Sequence, residues 1–120
     1  MESHPLLTNK TDVALALYKA LIQAFEKVGP VTVHPAKTMI GISNGKRRIA
    51  WIIQVGKNFV HVVFPFKKQY PDNLCFLKIA QIPGDVQQYN HHFRMYSADD
   101  LNEEVLGFIR LAYANEEGSV

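Results

Sequence analysis

The chemically most versatile side chains are concentrated in one nine-residue stretch, Gln88 to Tyr96, which reads QYNHHFRMY. It holds two adjacent histidines, an arginine and two tyrosines. Imidazole groups bind metal ions and transfer protons near neutral pH, and guanidinium groups bind carboxylates and phosphates. The residue types therefore fit a metal site, an acid–base site or an anion-binding site.

The two adjacent histidines are poorly placed to bind one metal ion. The stretch is predicted to be a strand, and neighbouring side chains of a strand point to opposite faces. We expect His91 to lie on one face with apolar neighbours, and His92 to lie on the other with Arg94 and Tyr96. No other pattern of metal-ligand spacing occurs in the chain, so we predict neither a metal site nor a cofactor.

Nucleophilic and carboxylate chemistry find little support. Cys75 is the only cysteine, which excludes an intramolecular disulfide, and it precedes Phe76 and Leu77. A free cysteine in such a run is usually a small core residue. The strand region offers only Asp72 and Asp85 as carboxylates, which disfavours a paired-carboxylate mechanism. The chain also lacks a phosphate-binding glycine loop.

These features favour a protein that is not an enzyme, and one enzymatic alternative remains. His61 or His92 would transfer a proton, while Arg94 or Lys37 would orient an anionic substrate. This alternative requires those side chains to line one pocket.

The charges are distributed unevenly along the chain. From Lys27 to Ala98 there are ten basic and two acidic residues, a balance of +8. From Asp99 to Val120 there are six acidic residues and one basic residue, a balance of −5. The basic middle predicts an anionic partner, or it is neutralised by the acidic segment packed beside it.

Basic residues follow a predicted hairpin turn at Lys46, Arg47 and Arg48. Aromatic residues, including Trp51, lie among the basic ones, as is typical of surfaces that bind anions or nucleic acids. The other interpretation is a solvated surface whose charges discourage association between strands.

Two helices are predicted, one near each end of the chain. Apolar residues recur at helical spacing over residues 12–28, with Thr11 or Asp12 as a cap and Gly29 before Pro30 as the stop. The second helix follows Ser97 and Asp100, which have the spacing of an N-terminal capping box.

Between the helices, short β-branched and aromatic runs alternate with turn signals. The pair Asn44-Gly45 is the strongest hairpin signal, and three tightly connected strands form a predicted meander. The order of helix, strands and helix predicts an α+β fold. It has an antiparallel sheet of about five strands, with both helices packed on one sheet face.

The central strands are apolar at successive positions, which is unusual for a sheet covered on one face only. Alternation places Ile49, Trp51, Ile53 and Val55 together on one face. A loop, a ligand or a second subunit would then cover the other face, and a homodimer is the preferred expectation.

We predict a flexible arm at residues 1–10, one domain at residues 11–115 and a tail at residues 116–120. The N-terminal residues lack the apolar region of a secretory signal, and no apolar run approaches the ~20 residues that a membrane span needs. The expectation is a cytoplasmic protein without a membrane partner.

Several short motifs, VHPAKTMIGI, KRRIAWI, HHFRMYSADDL and LGFIRLAYA, resemble the domain-of-unknown-function 5655 family. The resemblance extends from about Asp12 to Ala114. It implies a small α+β domain of prokaryotic cytoplasmic proteins, found alone or fused to other domains, and it implies no activity or ligand. It marks Lys37, Thr38, His92 and Arg94 as positions that fit a shared pattern.

The sequence thus predicts a binding domain for an anionic ligand or nucleic acid, with a histidine enzyme or a plain homodimeric interaction module as alternatives. The candidate ligand-binding residues are Lys37, Thr38, His61, His92, Arg94 and Tyr96. The candidate contacts to an anion or nucleic acid are Lys46, Arg47 and Arg48.

Overall fold

The computed structural model describes residues 6–8, 10–73, 75–81 and 88–114. The elements are α1 (Asp12–Glu26), β1 (Thr32–Pro35), β2 (Ile40–Ser43), β3 (Arg48–Val55), β4 (Val60–Phe66), β5 (Phe76–Gln81), β6 (Tyr89–Met95) and α2 (Glu103–Ala114). Two predicted features, the turn at Pro83-Gly84 and the tail at residues 116–120, lie outside the described residues. Within the predicted arm, Leu6 and Leu7 are partly buried against the core.

The six strands form one antiparallel sheet in the order β1-β2-β3-β4-β6-β5. Strands β2 to β4 make the expected three-stranded meander, β1 pairs with β2 at one edge, and β6 pairs between β4 and β5. The predicted α+β class is confirmed, with six strands rather than about five. Both helices pack on one face, as the contacts of Phe25 with Phe64 and of Phe108 with Phe66 show.

Helix α1 begins where the sequence predicts. The Thr11 side chain accepts a hydrogen bond from the backbone N–H of Ala14 (3.0 Å), which satisfies one of the free donors of the first turn. Leu17, Leu21 and Phe25 recur on one side of the helix and are buried against the sheet. The helix ends at Glu26, two residues before the predicted end.

Helix α2 begins later than expected. Asp100 accepts a hydrogen bond from the backbone N–H of Ser97 (3.1 Å), but this pair closes a short 3-10 turn at Ala98–Asp100. The cap of α2 is Asn102, whose side-chain oxygen accepts from the N–H of Val105 (3.0 Å). The prediction that the Ser97 and Asp100 box starts the helix is therefore wrong.

Two bulges in β3 decide which of its side chains reach the core. Ile49 has no partner in β2, and Ile53 has no partner in β4. Each is therefore an extra residue in β3, which is the definition of a bulge. An extra residue moves the following side chains to the other face of the sheet. Val55 is therefore buried on the helix side with Ile52, rather than sharing a face with Trp51. The predicted common face for the four apolar residues is wrong for this reason.

The bulges also change the character of the face that the helices leave uncovered. Gln54, not Val55, is paired with His61 on that side. The uncovered face is thus more polar than simple alternation predicts, with Trp51 and Val63 among polar neighbours. The observation that favoured a homodimer is weakened, and homodimerisation stays a prediction.

Strand β6 divides its two histidines as its alternation predicts. His91 is fully buried on the helix side with Phe93 and Met95, whereas His92 is half-buried on the uncovered face with Arg94. Adjacent positions in one strand thus supply a core residue and a surface residue.

His91 is held in the core as a neutral ring. The backbone N–H of Tyr70 donates to its Nε2 atom (3.1 Å), so the ring proton resides on Nδ1 and is donated to the carbonyl oxygen of Tyr89 (2.9 Å). The ring of Phe76 packs edge-on against it, with centroids 4.9 Å apart. His91 therefore ties the loop after β4 to β6.

We expect the substitution His91→Phe to lower the free energy of unfolding by about 1–3 kcal/mol, because two buried backbone groups lose their imidazole partner while the ring volume is kept. Urea unfolding measures the change. The exposed-turn substitution Lys37→Ala is the control and should alter stability by less than about 0.5 kcal/mol. A His91→Phe variant as stable as this control would contradict the structural role.

Candidate functional site

The uncovered face carries a straight row of side chains that crosses all six strands. Each member of the row is the direct cross-strand partner of the next. From the β5 edge to the β1 edge, the row consists of Lys78, His92, Val63, Trp51, Gly41 and His34. Five strand spacings make it about 24 Å long.

Arg94 and His61 are direct partners in a second row, beside His92. The guanidinium of Arg94 donates from Nε (3.2 Å) and from Nη2 (3.1 Å) to Nδ1 of His61. The other ring nitrogen of His61, Nε2, lies 2.8 Å from Nδ1 of His92. The three side chains form a continuous hydrogen-bonded chain that we call the Arg–His–His relay.

The direction of this relay follows from the arginine. A guanidinium only donates, so Nδ1 of His61 must accept and the ring proton of neutral His61 resides on Nε2. That proton is donated to Nδ1 of His92, which leaves the proton of neutral His92 on its own Nε2. The relay thus fixes both tautomers and ends in a neutral N–H donor on His92.

Both histidines of the relay resist protonation. The pKa of His61 is lowered to about 4, chiefly by burial and then by repulsion from His92 and the neighbouring cations Arg94 and Lys78. The pKa of His92 is also lowered, first by burial and then by Lys78. His61 is only 6% exposed, although it lies on the face without helices. The two rings are therefore neutral at physiological pH.

Aromatic side chains support the relay at the end of the sheet. The Arg94 guanidinium lies 4.4 Å from the ring centre of Phe59, in the turn between β3 and β4. Tyr96 packs against the same ring, with centroids 5.9 Å apart, and is 51% exposed. Tyr96 thus lies beside the relay and contacts Phe59, the ring that packs against Arg94.

The other predicted residues lie elsewhere. Lys37 and Thr38 are exposed in the turn between β1 and β2, two strands away from β4 in the sheet. Lys46 and Arg47 are exposed in the hairpin between β2 and β3, at the opposite end of the sheet from the relay. The structure therefore brings together His61, His92 and Arg94 and separates the rest from them.

Arg48 joins the uncovered face in a way that the sequence did not predict. Its guanidinium carbon lies 5.0 Å from the ring centre of Trp51. A Cβ atom on Gly41 would come within 2.8 Å of Cδ of Arg48 and 3.1 Å of the Trp51 indole. Glycine in β2 thus leaves the room in which the indole and the arginine lie. Alternation alone places Trp51 on this face but does not reveal the stacked arginine.

The face combines positive charge with hydrogen-bond donors. The six strands contain no Asp or Glu, whereas Arg48, Lys78 and Arg94 belong to them. No group of three or more metal-ligating side chains occurs within the described ranges.

The enzymatic alternative gains no support from the relay. A catalytic base needs a ring nitrogen that can take up a proton, and both nitrogens of His61 are engaged by Arg94 and His92. Of the two candidate orienting residues, Arg94 lies beside His61, whereas Lys37 lies in a separate turn. The enzymatic alternative stays a hypothesis of the sequence.

One cavity of about 330 Å³ lies beyond the start of β5 and is lined partly by Cys75, Arg94 and Glu104. Burial, followed by the nearby Glu104 carboxylate, raises the pKa of the Cys75 thiol to about 12. A thiol with that pKa is not an activated nucleophile at neutral pH. Neither His61 nor His92 lines this cavity.

The fold and the site together define a small α+β domain with one open sheet face, whose strands contain no Asp or Glu. The model of the domain-of-unknown-function family DUF5655 matches residues 4–116, so the chain belongs to that family. A search of curated proteins and a search of solved structures found no match. In the part of the chain that the structure describes, no helix is both long and apolar enough to cross a bilayer.

We expect His61 to titrate near pH 4, with its proton on Nε2 above that pH. Nitrogen-15 NMR of the imidazole rings measures both the pKa and the tautomer. The substitution Arg94→Gln should raise the pKa of His61, because it removes one repelling charge while burial remains. A wild-type His61 that titrates at about 6.5, or that carries its proton on Nδ1, would contradict the relay.

We also expect stability to fall as the solution is acidified. Because the folded-state pKa of His61 is lowered, the unfolded chain binds a proton between about pH 6.5 and pH 4 that the folded chain does not. The stabilisation that comes from neutral His61 is fully present above about pH 6.5. We expect about 2 kcal/mol of the free energy of unfolding to be lost at about pH 5. Urea unfolding at about pH 7.5 and pH 5 measures it, and His61→Gln should lose less stability over this interval. Equal losses in both proteins would exclude His61 as the cause.

Proposed function

We propose that this domain binds an anionic ligand on the uncovered face of its sheet, with the Arg–His–His relay and Lys78 at the centre of the site. The observation that carries the proposal is the absence of carboxylates from all six strands, on a sheet that holds three cations. A surface with that balance has a positive potential, which attracts anions.

The relay supports binding because it orients donors outward. Nε2–H of His92 is not used within the relay, and its strand neighbour Lys78 is exposed. An anionic oxygen at this point accepts one hydrogen bond from a fixed ring and one charge-assisted bond from a lysine. Since burial and nearby cations keep the rings neutral, the face avoids the repulsion that four adjacent positive charges would bring.

Binding rather than catalysis is the better-supported role. The outward group of His92 is an N–H donor, and the other ring nitrogen, Nδ1, accepts from His61, so the ring presents no free nitrogen that could act as a base. Homodimerisation and a cytoplasmic location stay predictions of the sequence.

Isothermal titration calorimetry with sodium tripolyphosphate tests this function. We expect saturable binding at low ionic strength that weakens with added salt, because exposed charges are screened. The double substitution Lys78→Gln with Arg94→Gln should reduce affinity by about ten-fold or more, since each lost charge-assisted bond is worth more than 1 kcal/mol.

A charge-matched control is available on the same chain. Lys46→Gln with Arg47→Gln removes the same two charges at the far end of the sheet and should change affinity only slightly. Two results would exclude the proposal: no binding at low salt, or equal losses from the two double variants.

A further inference from the structure

We propose that the ligand of the uncovered face is single-stranded RNA, with a base stacked on the Trp51–Arg48 pair and phosphates bound by Arg94 and Lys78. This proposal rests on the anion-binding function above and specifies its ligand. Four features of the face carry it: its shape, its aromatic platform, its charge and its neutral donors.

The shape of the face favours a polymer. The residues of the long row extend for about 24 Å across six strands. Small ligands bind in concave sites, and neither His61 nor His92 lines the cavities near the ends of the sheet. An extended chain that lies along the open sheet can contact the whole row, whereas a small anion would occupy one end of it.

Trp51 lies in the middle of the row and is half-buried. The guanidinium of Arg48 lies over its ring, and Gly41 leaves the space that the two side chains occupy. Indole and guanidinium planes are both groups on which unpaired bases stack. A small anion or an acidic peptide carries no base that would stack on this platform. The platform therefore favours a nucleic acid over other anionic partners.

The charges lie where the linking phosphates of such a chain would be. Lys78 is adjacent to His92 across β5 and β6, and Arg94 follows two residues along β6 on the same face. Trp51 is two strands away from His92 through Val63, a separation of about 10 Å. A base on the platform and a phosphate at the relay can thus belong to neighbouring nucleotides.

Neutral polar groups lie beside these charges and favour RNA over DNA. The relay holds Nε2–H of His92 as an uncharged donor, and the half-buried side chain of Asn90 lies two residues before it on the same strand face. A ribose 2′-hydroxyl both accepts and donates a hydrogen bond, and DNA lacks it. A flat sheet also does not enter the deep groove of an RNA duplex, so the expected ligand is unpaired.

Fluorescence anisotropy of a labelled oligouridylate of about eight nucleotides tests the proposal with the full chain. The same sequence as DNA, a self-complementary RNA duplex and an inorganic polyphosphate of about eight phosphates serve as comparisons. We expect RNA to bind most tightly and to change the fluorescence of Trp51, the only tryptophan. Trp51→Ala should weaken RNA binding by about ten-fold and leave polyphosphate binding nearly unchanged.

A second variant tests the same platform independently in case Trp51→Ala does not fold. Arg48→Gln changes an exposed side chain and should also weaken RNA binding more than polyphosphate binding. Circular dichroism and urea unfolding verify that each variant is folded. The Lys46→Gln and Arg47→Gln double variant is again the charge control.

The outcomes separate this inference from the function on which it rests. If polyphosphate binds as tightly as RNA and neither Trp51→Ala nor Arg48→Gln is selective, the RNA inference fails while anion binding stands. Equal binding of DNA overturns the assignment to RNA. Equal losses from the Lys46 and Arg47 control and from the Lys78 and Arg94 variant overturn the placement on this face. If nothing binds at low salt, both proposals fail.

Discussion

The pairing of β4 with β6 is the constraint on which both the core and the candidate site depend. Its register places Phe64 opposite His91 on the helix side and His61 opposite Arg94 on the uncovered side. A slip by one residue would exchange the two faces, because side chains alternate along a strand. The same hydrogen-bonded ladder therefore fixes a buried histidine in the core and assembles the relay on the surface.

The two histidines of β6 illustrate how environment determines chemical character. His91 accepts from one backbone group and donates to another, so its ring is a polar crosslink within an aromatic cluster. His92 receives its hydrogen bond from His61, and the direction of that bond is set by an arginine that cannot accept. Both rings are neutral, but the two differ in their remaining hydrogen-bond capacity: His91 uses both ring nitrogens, whereas Nε2–H of His92 is not used within the relay.

Much of the fold followed from local sequence patterns. The cap at Thr11, the hairpin at Asn44-Gly45 and the alternation along β6 each depend on a few neighbouring residues, and the structure has all three. The bulges at Ile49 and Ile53 did not follow, because an extra residue is visible only against the partner strand. Simple alternation, which contains no bulges, places Val55 on the wrong face and predicts a second face that is more apolar than the one in the structure.

The candidate site divides in a similar way. Alternation within one strand places His92 and Arg94 on the same face, and this prediction needs only the local sequence. Their contact with His61 depends on the register between β4 and β6, which are separated by β5 in the chain. The stacking of Arg48 on Trp51 depends in addition on Gly41 in a third strand. Contacts that need two or three strands in register are beyond what the spacing of one segment can predict.

Neutral histidines explain how a half-buried face can be basic without self-repulsion. Burial is the main cause that lowers the pKa of both rings, and repulsion from nearby cations adds to it, from Arg94 and Lys78 at His61 and from Lys78 at His92. With its proton on Nε2, His92 can take up a second proton only at Nδ1, the atom that accepts from Nε2–H of His61. Protonation of His92 would therefore break the hydrogen bond between the two rings. The fixed direction of the relay thus acts together with burial to keep His92 a neutral donor on this face.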